Sequence, residues 1–119
     1  MWPGRLSRRQ AKGQEWERAA LAHLRRHKLT RVEENFRCKG GEIDLIMRDG
    51  DTLVFVEVRQ RADIAHGGAA ASITPAKIRR LIHAAQVYLL CFPVTPPCRF
   101  DVVAIDGEHI EWLRNVIEV

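Results

Sequence analysis

The sequence predicts an α/β protein in which a mixed central sheet is flanked by helices. One observation is a stretch of helical periodicity from about Arg8 to Lys28. Another is a pair of apolar runs, Glu42 to Arg48 and Thr52 to Arg59, which flank a turn containing Gly50 and so predict a β-hairpin. A third is a later helix followed by an apolar strand. A strand–helix–strand connection of this kind is normally right-handed, and the two strands that it joins are normally parallel.

The first helix follows a loose basic lead-in over residues 1–9. Its inward stripe contains Ala20, Leu21 and Leu24, and Glu17 falls on the same stripe. A carboxylate in an apolar stripe is costly unless it is compensated. Glu17 is therefore interpreted either as a residue at the boundary of the stripe or as a member of an acidic site.

The other elements are predicted from strand, turn and capping patterns. In the hairpin, the second strand is continuously apolar over Leu53–Val56, which is typical of a central strand. Thr74-Pro75 provides a helix N-cap followed by a proline at the first helical position. The remaining predictions are a first strand over Leu29 to Phe36, a mobile loop over 62–72, a helix ending near Cys91, a strand over Arg99 to Ile105 and an antiparallel edge strand over Ile110 to Leu113.

Composition fits one domain over residues 1–119, with a single core. Three cysteines without a Cys-x-x-Cys pair predict reduced thiols, and no apolar run reaches the roughly 18 residues of a membrane span. A cytoplasmic protein without a membrane partner is expected. Residues 1–40 hold eleven Lys or Arg against four Glu, so the net charge of +4 is concentrated in the N-terminal third. That surface suits a nucleic-acid backbone, although a merely solubilising face is the alternative.

Two carboxylates inside the hairpin strands are candidates for chemistry. Asp44 stands between Ile43 and Leu45, and Glu57 stands between two valines, where an ionised carboxylate loses hydration. If Gly50-Asp51 is the two-residue loop, Asp44 lies opposite Glu57. If Asp49-Gly50 is the loop, the two acids are diagonal on one face, whereas a three-residue loop without a bulge would place them on opposite faces.

Basic residues surround this pair in the sequence. Arg59 is two residues from Glu57 on one strand and so shares its face in every register. Arg37 and Lys39 border the hairpin, and are candidates for phosphate contacts or for an ordinary exposed loop. Lys77, Arg79 and Arg80 lie near the start of the second helix, where positive charge opposes the dipole and suggests an anionic ligand nearby.

Three motifs carry a resemblance to a known family: Gly41-Glu42-Ile43-Asp44-Leu45-Ile46, Phe55-Val56-Glu57-Val58-Arg59-Gln60-Arg61, and Arg99-Phe100-Asp101-Val102-Val103. They resemble the YraN family of endonuclease-like proteins, within the PD-(D/E)XK nuclease superfamily, which also includes archaeal Holliday-junction resolvases. The resemblance extends from about Gly13 to Val103. It implies a restriction-endonuclease-like αβββαβ core, followed here by a C-terminal edge strand.

The resemblance also implies roles for individual residues. Asp44, Glu57 and the Val58 carbonyl would bind a divalent cation, Mg²⁺ or Mn²⁺, and Glu17 matches the helical acid of resolvase-like members. Phosphate contacts are implied for the basic second helix. Arg61, the last residue of the second motif, is also a predicted nucleic-acid contact. Arg59 replaces the lysine of the superfamily motif; arginine stays protonated and so cannot act as a base, although it can stabilise developing phosphoryl charge.

The expected function is metal-dependent hydrolysis of phosphodiester bonds in nucleic acid, with DNA, including branched or structured DNA, as the first substrate class. A nuclease-fold protein that binds nucleic acid without cutting it is the main alternative, because of Arg59. A small metabolic protein with a structural Glu57–Arg59 ion pair is the third. The oligomeric state stays open, a homodimer included.

Overall fold

The computed structural model describes residues 8–60, 73–106 and 108–117, with side chains described from Gln14 onward. Seven elements follow one another in the predicted order. They are α1 (Arg8–Arg26), β1 (Thr30–Cys38), β2 (Gly41–Asp49), β3 (Thr52–Gln60), α2 (Pro75–Leu89), β4 (Cys98–Asp106) and β5 (His109–Leu113). Helix α1 begins at Arg8, as predicted, and ends two residues before the predicted Lys28, while α2 ends two residues before the predicted Cys91. The predicted mobile loop over 62–72 lies outside the described residues.

The five strands form one mixed sheet in the order β1-β2-β3-β4-β5. Neighbouring strands are antiparallel except β3 and β4, which are parallel and are connected through α2. The predicted parallel crossover and the antiparallel edge strand are thus confirmed. Strand β3 lies at the centre of the sheet, as its continuous apolar run predicted.

The hairpin turn has the first of the three registers considered. Asp49 is paired with Thr52 and Leu45 with Val56, so Gly50-Asp51 is the two-residue loop. Gly50 has a φ of +61°, which glycine adopts without the steric cost that a Cβ would impose. The described pairing ends at Leu45 and Val56, and the next residues along the two strands are Asp44 and Glu57.

The two faces of the sheet bury separate sets of side chains. On one face, α1 contributes Ala20, Leu21 and Leu24, which pack with residues of β2, β3 and β4. On the other face, α2 contributes Leu81, Ala84 and Ala85, which pack around a group that includes Phe55 of β3 and Phe100 of β4. Because β3 is covered on both sides, all four residues of Leu53–Val56 are almost fully buried.

Helix α2 starts as the sequence predicted. The Thr74 hydroxyl accepts a hydrogen bond of 3.1 Å from the backbone N–H of Lys77, and Pro75 occupies the first helical position. This cap fixes where the first turn of α2 begins. The Lys77 side chain therefore extends from a defined position in the first turn of α2, beside the sheet.

A second buried carboxylate, Asp101, ties the last strands together. It is fully buried and accepts hydrogen bonds from the Arg99 guanidinium, the Trp112 indole N–H at 3.0 Å and the Asn115 backbone N–H at 2.9 Å. Arg99 also donates to Asp49 at 2.9 Å. This network links β4 to β5, to the segment after it and to the hairpin turn, so its role is structural.

Within the described residues, no helix is both long and apolar enough to cross a membrane. All three cysteines are free, and Cys91 and Cys98 are exposed.

Candidate functional site

Asp44 and Glu57 lie together where β2 and β3 stop pairing. The backbone N–H of Val58 donates a hydrogen bond of 2.8 Å to Oδ2 of Asp44. The Asp44 side chain, which belongs to β2, is thereby attached to the backbone of β3. Glu57 is only 3% exposed. The register and this hydrogen bond bring the two carboxylates into one site at the end of the ladder, as the two-residue loop predicted.

Glu57 is compensated by two cations. Nζ of Lys77 lies 3.1 Å from Oε2 of Glu57, and a terminal nitrogen of Arg59 lies 3.5 Å from the same oxygen. The Arg59 contact places Glu57 and Arg59 on one face of β3, as their spacing required. Lys77 reaches the carboxylate from a different element, the first turn of α2.

The environment of Asp44 raises its pKa to about 8. Burial is the largest cause, and the negative charge of Glu57 is the second; the hydrogen bond from Val58 and the positive charge of Lys77 act in the opposite direction. The Asp44 carboxyl is therefore largely protonated at neutral pH.

Glu17 lies beside this pair on α1, and its negative charge contributes to the raised pKa of Asp44. Burial also raises the pKa of Glu17 itself, while a hydrogen bond with the Asn35 side chain lowers it. Asn35 belongs to β1 and has a φ of 54°, a left-handed conformation that asparagine tolerates better than most residues. Sequence reasoning missed Asn35; an asparagine within an otherwise strand-like segment was the available signal.

Among the side chains described, no three His, Cys, Asp or Glu residues are grouped so that they alone would hold a metal ion. Glu17 therefore neighbours the Asp44–Glu57 pair without completing a three-acid cage. The side-chain oxygens shown at this site are those of the two carboxylates, Asp44 and Glu57.

An open cleft of about 410 Å³ is lined in part by Lys77, the cation that contacts Glu57. It lies between the start of α2 and the turn from β1 to β2, where a Cβ on Gly41 would collide with the Arg80 carbonyl oxygen. Its described lining residues are Arg37, Cys38, Gly40, Gly41, Glu42, Lys77, Arg80 and Leu81. Three of these are cations, and one of them, Lys77, also contacts Glu57.

The predicted phosphate contacts differ in their relation to this cleft, and Arg37 and Arg80 are the arginines that line it. Arg37 is 75% exposed and lies 3.6 Å from Glu42. Lys39 is exposed, and its carbonyl oxygen accepts a hydrogen bond of 3.1 Å from the His83 ring. Arg79 is exposed but is not among the residues that line the cleft, so the two neighbouring arginines of α2 differ in position. Arg61 lies outside the described residues.

The sheet, its two covering helices and this site define an α/β protein with a carboxylate pair, two attached cations and a basic cleft beside them. A family model described as "Uncharacterised protein family UPF0102" matches residues 16–105, which extend from α1 to β4. The chain belongs to the UPF0102 family. A UPF0102 protein of Herminiimonas arsenicoxydans is 60% identical over 110 residues, covering 92% of this chain and 89% of the relative. A UPF0102 protein of Cupriavidus taiwanensis is 60% identical over 111 residues, covering 92% of this chain and 85% of the relative.

Proposed function

We propose that this protein is a metal-dependent nuclease that hydrolyses phosphodiester bonds of nucleic acid, on the restriction-endonuclease-like fold of the PD-(D/E)XK superfamily. The observation that carries the proposal is the meeting of Asp44 and Glu57 at the end of the β2–β3 ladder, with Lys77 on one of the carboxylates. A purely structural ion pair would not need a second, partly buried acid whose pKa is raised to about 8.

The donor set fits Mg²⁺ or Mn²⁺. Both ions prefer oxygen ligands, and Mg²⁺ is commonly held by one or two carboxylates, with water and substrate phosphate completing its coordination. Two carboxylates without a third acid therefore suit such an ion better than a closed protein cage. Asp44, Glu57 and the Val58 carbonyl would hold it, and when bound it would supply Lewis-acid charge at the phosphate.

The protein's own residues have separable tasks in this proposal. Arg59 keeps Glu57 oriented and adds positive charge near the reacting phosphate. Glu17 lies beside Asp44 and would orient water at the edge of the site. Arg37 and Arg80 line the cleft and would bind the phosphates on either side of the bond that is cut.

DNA, including branched or structured DNA, is the first substrate class to test. A nucleic-acid substrate agrees with the cytoplasmic location that the sequence predicts. The experiment is a cleavage assay on single-stranded, duplex, nicked and branched DNA, with Mg²⁺, Mn²⁺ or EDTA. Cleavage that requires the metal and disappears in Asp44→Asn supports the proposal. Cleavage that persists in EDTA or in the variant would indicate a contaminating enzyme and would remove that support.

A nucleic-acid-binding protein that does not cut is the second candidate. It is favoured by Arg59 at the position where the resemblance implies a lysine, because arginine cannot accept a proton near neutral pH. Folded protein that binds the four DNA substrates and cleaves none of them with either metal would select this candidate. Matching cleavage assays on RNA of the same shapes must also be negative.

A further inference from the structure

The two cations on Glu57 are not equivalent. Lys77 is the closer one, at 3.1 Å against 3.5 Å for Arg59, and both distances end on the same oxygen. The Lys77 side chain is 30% exposed and that of Arg59 is 19% exposed. Lys77 is thus both the closer and the more exposed of the two cations on this carboxylate.

Helix stability does not explain where Lys77 lies. It occupies the third position of α2, where a positive side chain is disfavoured by the partial positive charge of the helix N-terminus. The Thr74 cap and Pro75 set the start of the helix and thereby hold the Lys77 backbone beside the site. The contact with Glu57 provides the compensating attraction.

Lys77 also joins the carboxylate site to the cleft. It lines the 410 Å³ space together with Arg37 and Arg80, and its ammonium also contacts Glu57 at 3.1 Å. Arg59 is not among the described lining residues of that space. A phosphate that entered from the cleft would therefore meet Lys77 before it met Arg59.

We propose that Lys77 is a catalytic residue: its ammonium moves from Glu57 to the reacting phosphate and supplies there the compact positive charge that Arg59 does not supply. This inference rests on the proposed nuclease function. Lys77 is then a member of the reacting site and not a peripheral phosphate contact.

The reaction balances without any change in the charge of Lys77. Water oxygen bonds to phosphorus while the bond from phosphorus to the leaving oxygen breaks. One product is a phosphomonoester, and the other is a hydroxyl that receives one proton of the water; the second proton goes to solvent. The Lys77 ammonium stays protonated and stabilises the negative charge on the non-bridging oxygens.

The test compares Lys77→Gln, Lys77→Arg and Arg59→Gln with the control Arg48→Gln, which removes one exposed positive charge from the opposite end of β2. Three quantities are measured: the single-turnover cleavage rate with saturating protein, the Kd for DNA in EDTA, and the Kd for Mn²⁺ without DNA. The Mn²⁺ measurement does not depend on activity.

For Lys77→Gln we expect the cleavage rate to fall about 100-fold or more, since removal of one group that stabilises transition-state charge has effects of that order. The Kd for DNA should rise less than about tenfold, the effect of a single phosphate contact. Mn²⁺ should bind about five- to tenfold more tightly, because a cation competing for Glu57 has been removed.

Lys77→Arg keeps the charge and the fold but should still lose about tenfold in rate, since the two cations are not interchangeable. Arg59→Gln should lose less rate than Lys77→Gln.

Several results would overturn the assignment. If wild type cleaves and Lys77→Gln cleaves as fast as Arg48→Gln, Lys77 is not catalytic while the nuclease function stands. If the Kd for DNA rises while the single-turnover rate at saturating protein equals that of Arg48→Gln, Lys77 is a binding contact. If Lys77→Gln does not fold, Lys77→Arg decides, and a wild-type rate in that variant rules out the role of a compact ammonium. If wild type itself cleaves no substrate, the proposed function fails and this inference fails with it.

Discussion

The backbone N–H of Val58 donates a 2.8 Å hydrogen bond to Oδ2 of Asp44, which attaches the first carboxylate to the strand that carries the second. This bond acts to lower the pKa of Asp44, yet burial and the charge of Glu57 outweigh it and raise the pKa to about 8. The site therefore holds its two acids together at a cost in free energy that depends on pH.

Stability of the metal-free protein should reflect that cost. Because the pKa of Asp44 is raised from 3.8 to about 8, its contribution to stability is fully present below about pH 4 and is lost as the pH rises through 8. Asp44→Asn, which stays neutral, should resemble wild type most closely near pH 4, gain stability relative to it as the pH rises from 4 to 8, and exceed its free energy of unfolding by at least about 1 kcal/mol at pH 9. Urea unfolding in EDTA measures this, with Asp51→Asn in the exposed turn as the control. An advantage that does not change with pH would contradict the raised pKa.

Metal binding should release a proton from the same group. Below pH 8 the Asp44 carboxyl is mostly protonated, and a bound cation requires the carboxylate. At pH 6.5 we expect the binding of Mn²⁺ to release about one proton, and at pH 9 close to none from Asp44. Calorimetry in buffers of different ionisation enthalpy gives the number of protons directly. A number that is the same at both pH values would show that Asp44 does not lose its proton to the metal.

The two neighbouring arginines of α2 should differ in their effect on DNA binding. Arg80 lines the cleft and Arg79 does not, although both are exposed. Arg80→Gln should weaken binding more than Arg79→Gln, and the double variant should reduce the slope of log Kd against log salt concentration by about one to two. Fluorescence anisotropy over a salt series provides the measurement. Unchanged affinity of the double variant at low salt would mean that DNA binds another surface.

The local features of the fold were predictable because each depends on a few adjacent residues. Alternating faces, a glycine in a tight turn and a Thr-Pro helix start were sufficient for the existence of the hairpin and for the beginning of α2, whereas the choice among the three hairpin registers came from the structure. The contact between Lys77 and Glu57 was not predictable in this way, since it depends on how α2 packs on the sheet. The left-handed conformation of Asn35 was likewise missed, because strand propensity describes average backbone and does not indicate single irregular residues.

The resemblance drew attention to the segment from Arg99 to Val103 but assigned no task to Asp101. The structure shows a fully buried carboxylate that accepts from a guanidinium, an indole and a backbone N–H. Asp101→Asn should reduce the free energy of unfolding by about 3 kcal/mol, because the partly buried Arg99 would lose the more buried of its two ionic partners and keep only Asp49. Asp106→Asn, at the exposed end of the same strand, should change it by less than about 0.5 kcal/mol. Urea unfolding compares the two variants, and equal effects would show that the network does not stabilise the fold.

Substitution of Arg59 by lysine distinguishes two cases: either arginine is functional at this position, or it has replaced a lysine that catalysis needs. Lys77 already places an ammonium on Glu57, so a second lysine at position 59 has no vacant role to fill. Arg59→Lys should therefore lower metal-dependent cleavage by about three- to tenfold, because the planar guanidinium that orients Glu57 and can form paired hydrogen bonds with phosphate would be lost. The assay is single-turnover cleavage of the best of the four DNA substrates, with Arg48→Lys as the control that makes the same exchange at an exposed position. A rate above wild type in Arg59→Lys would mean that the site lacks an effective ammonium, and that Lys77 does not act on the phosphate.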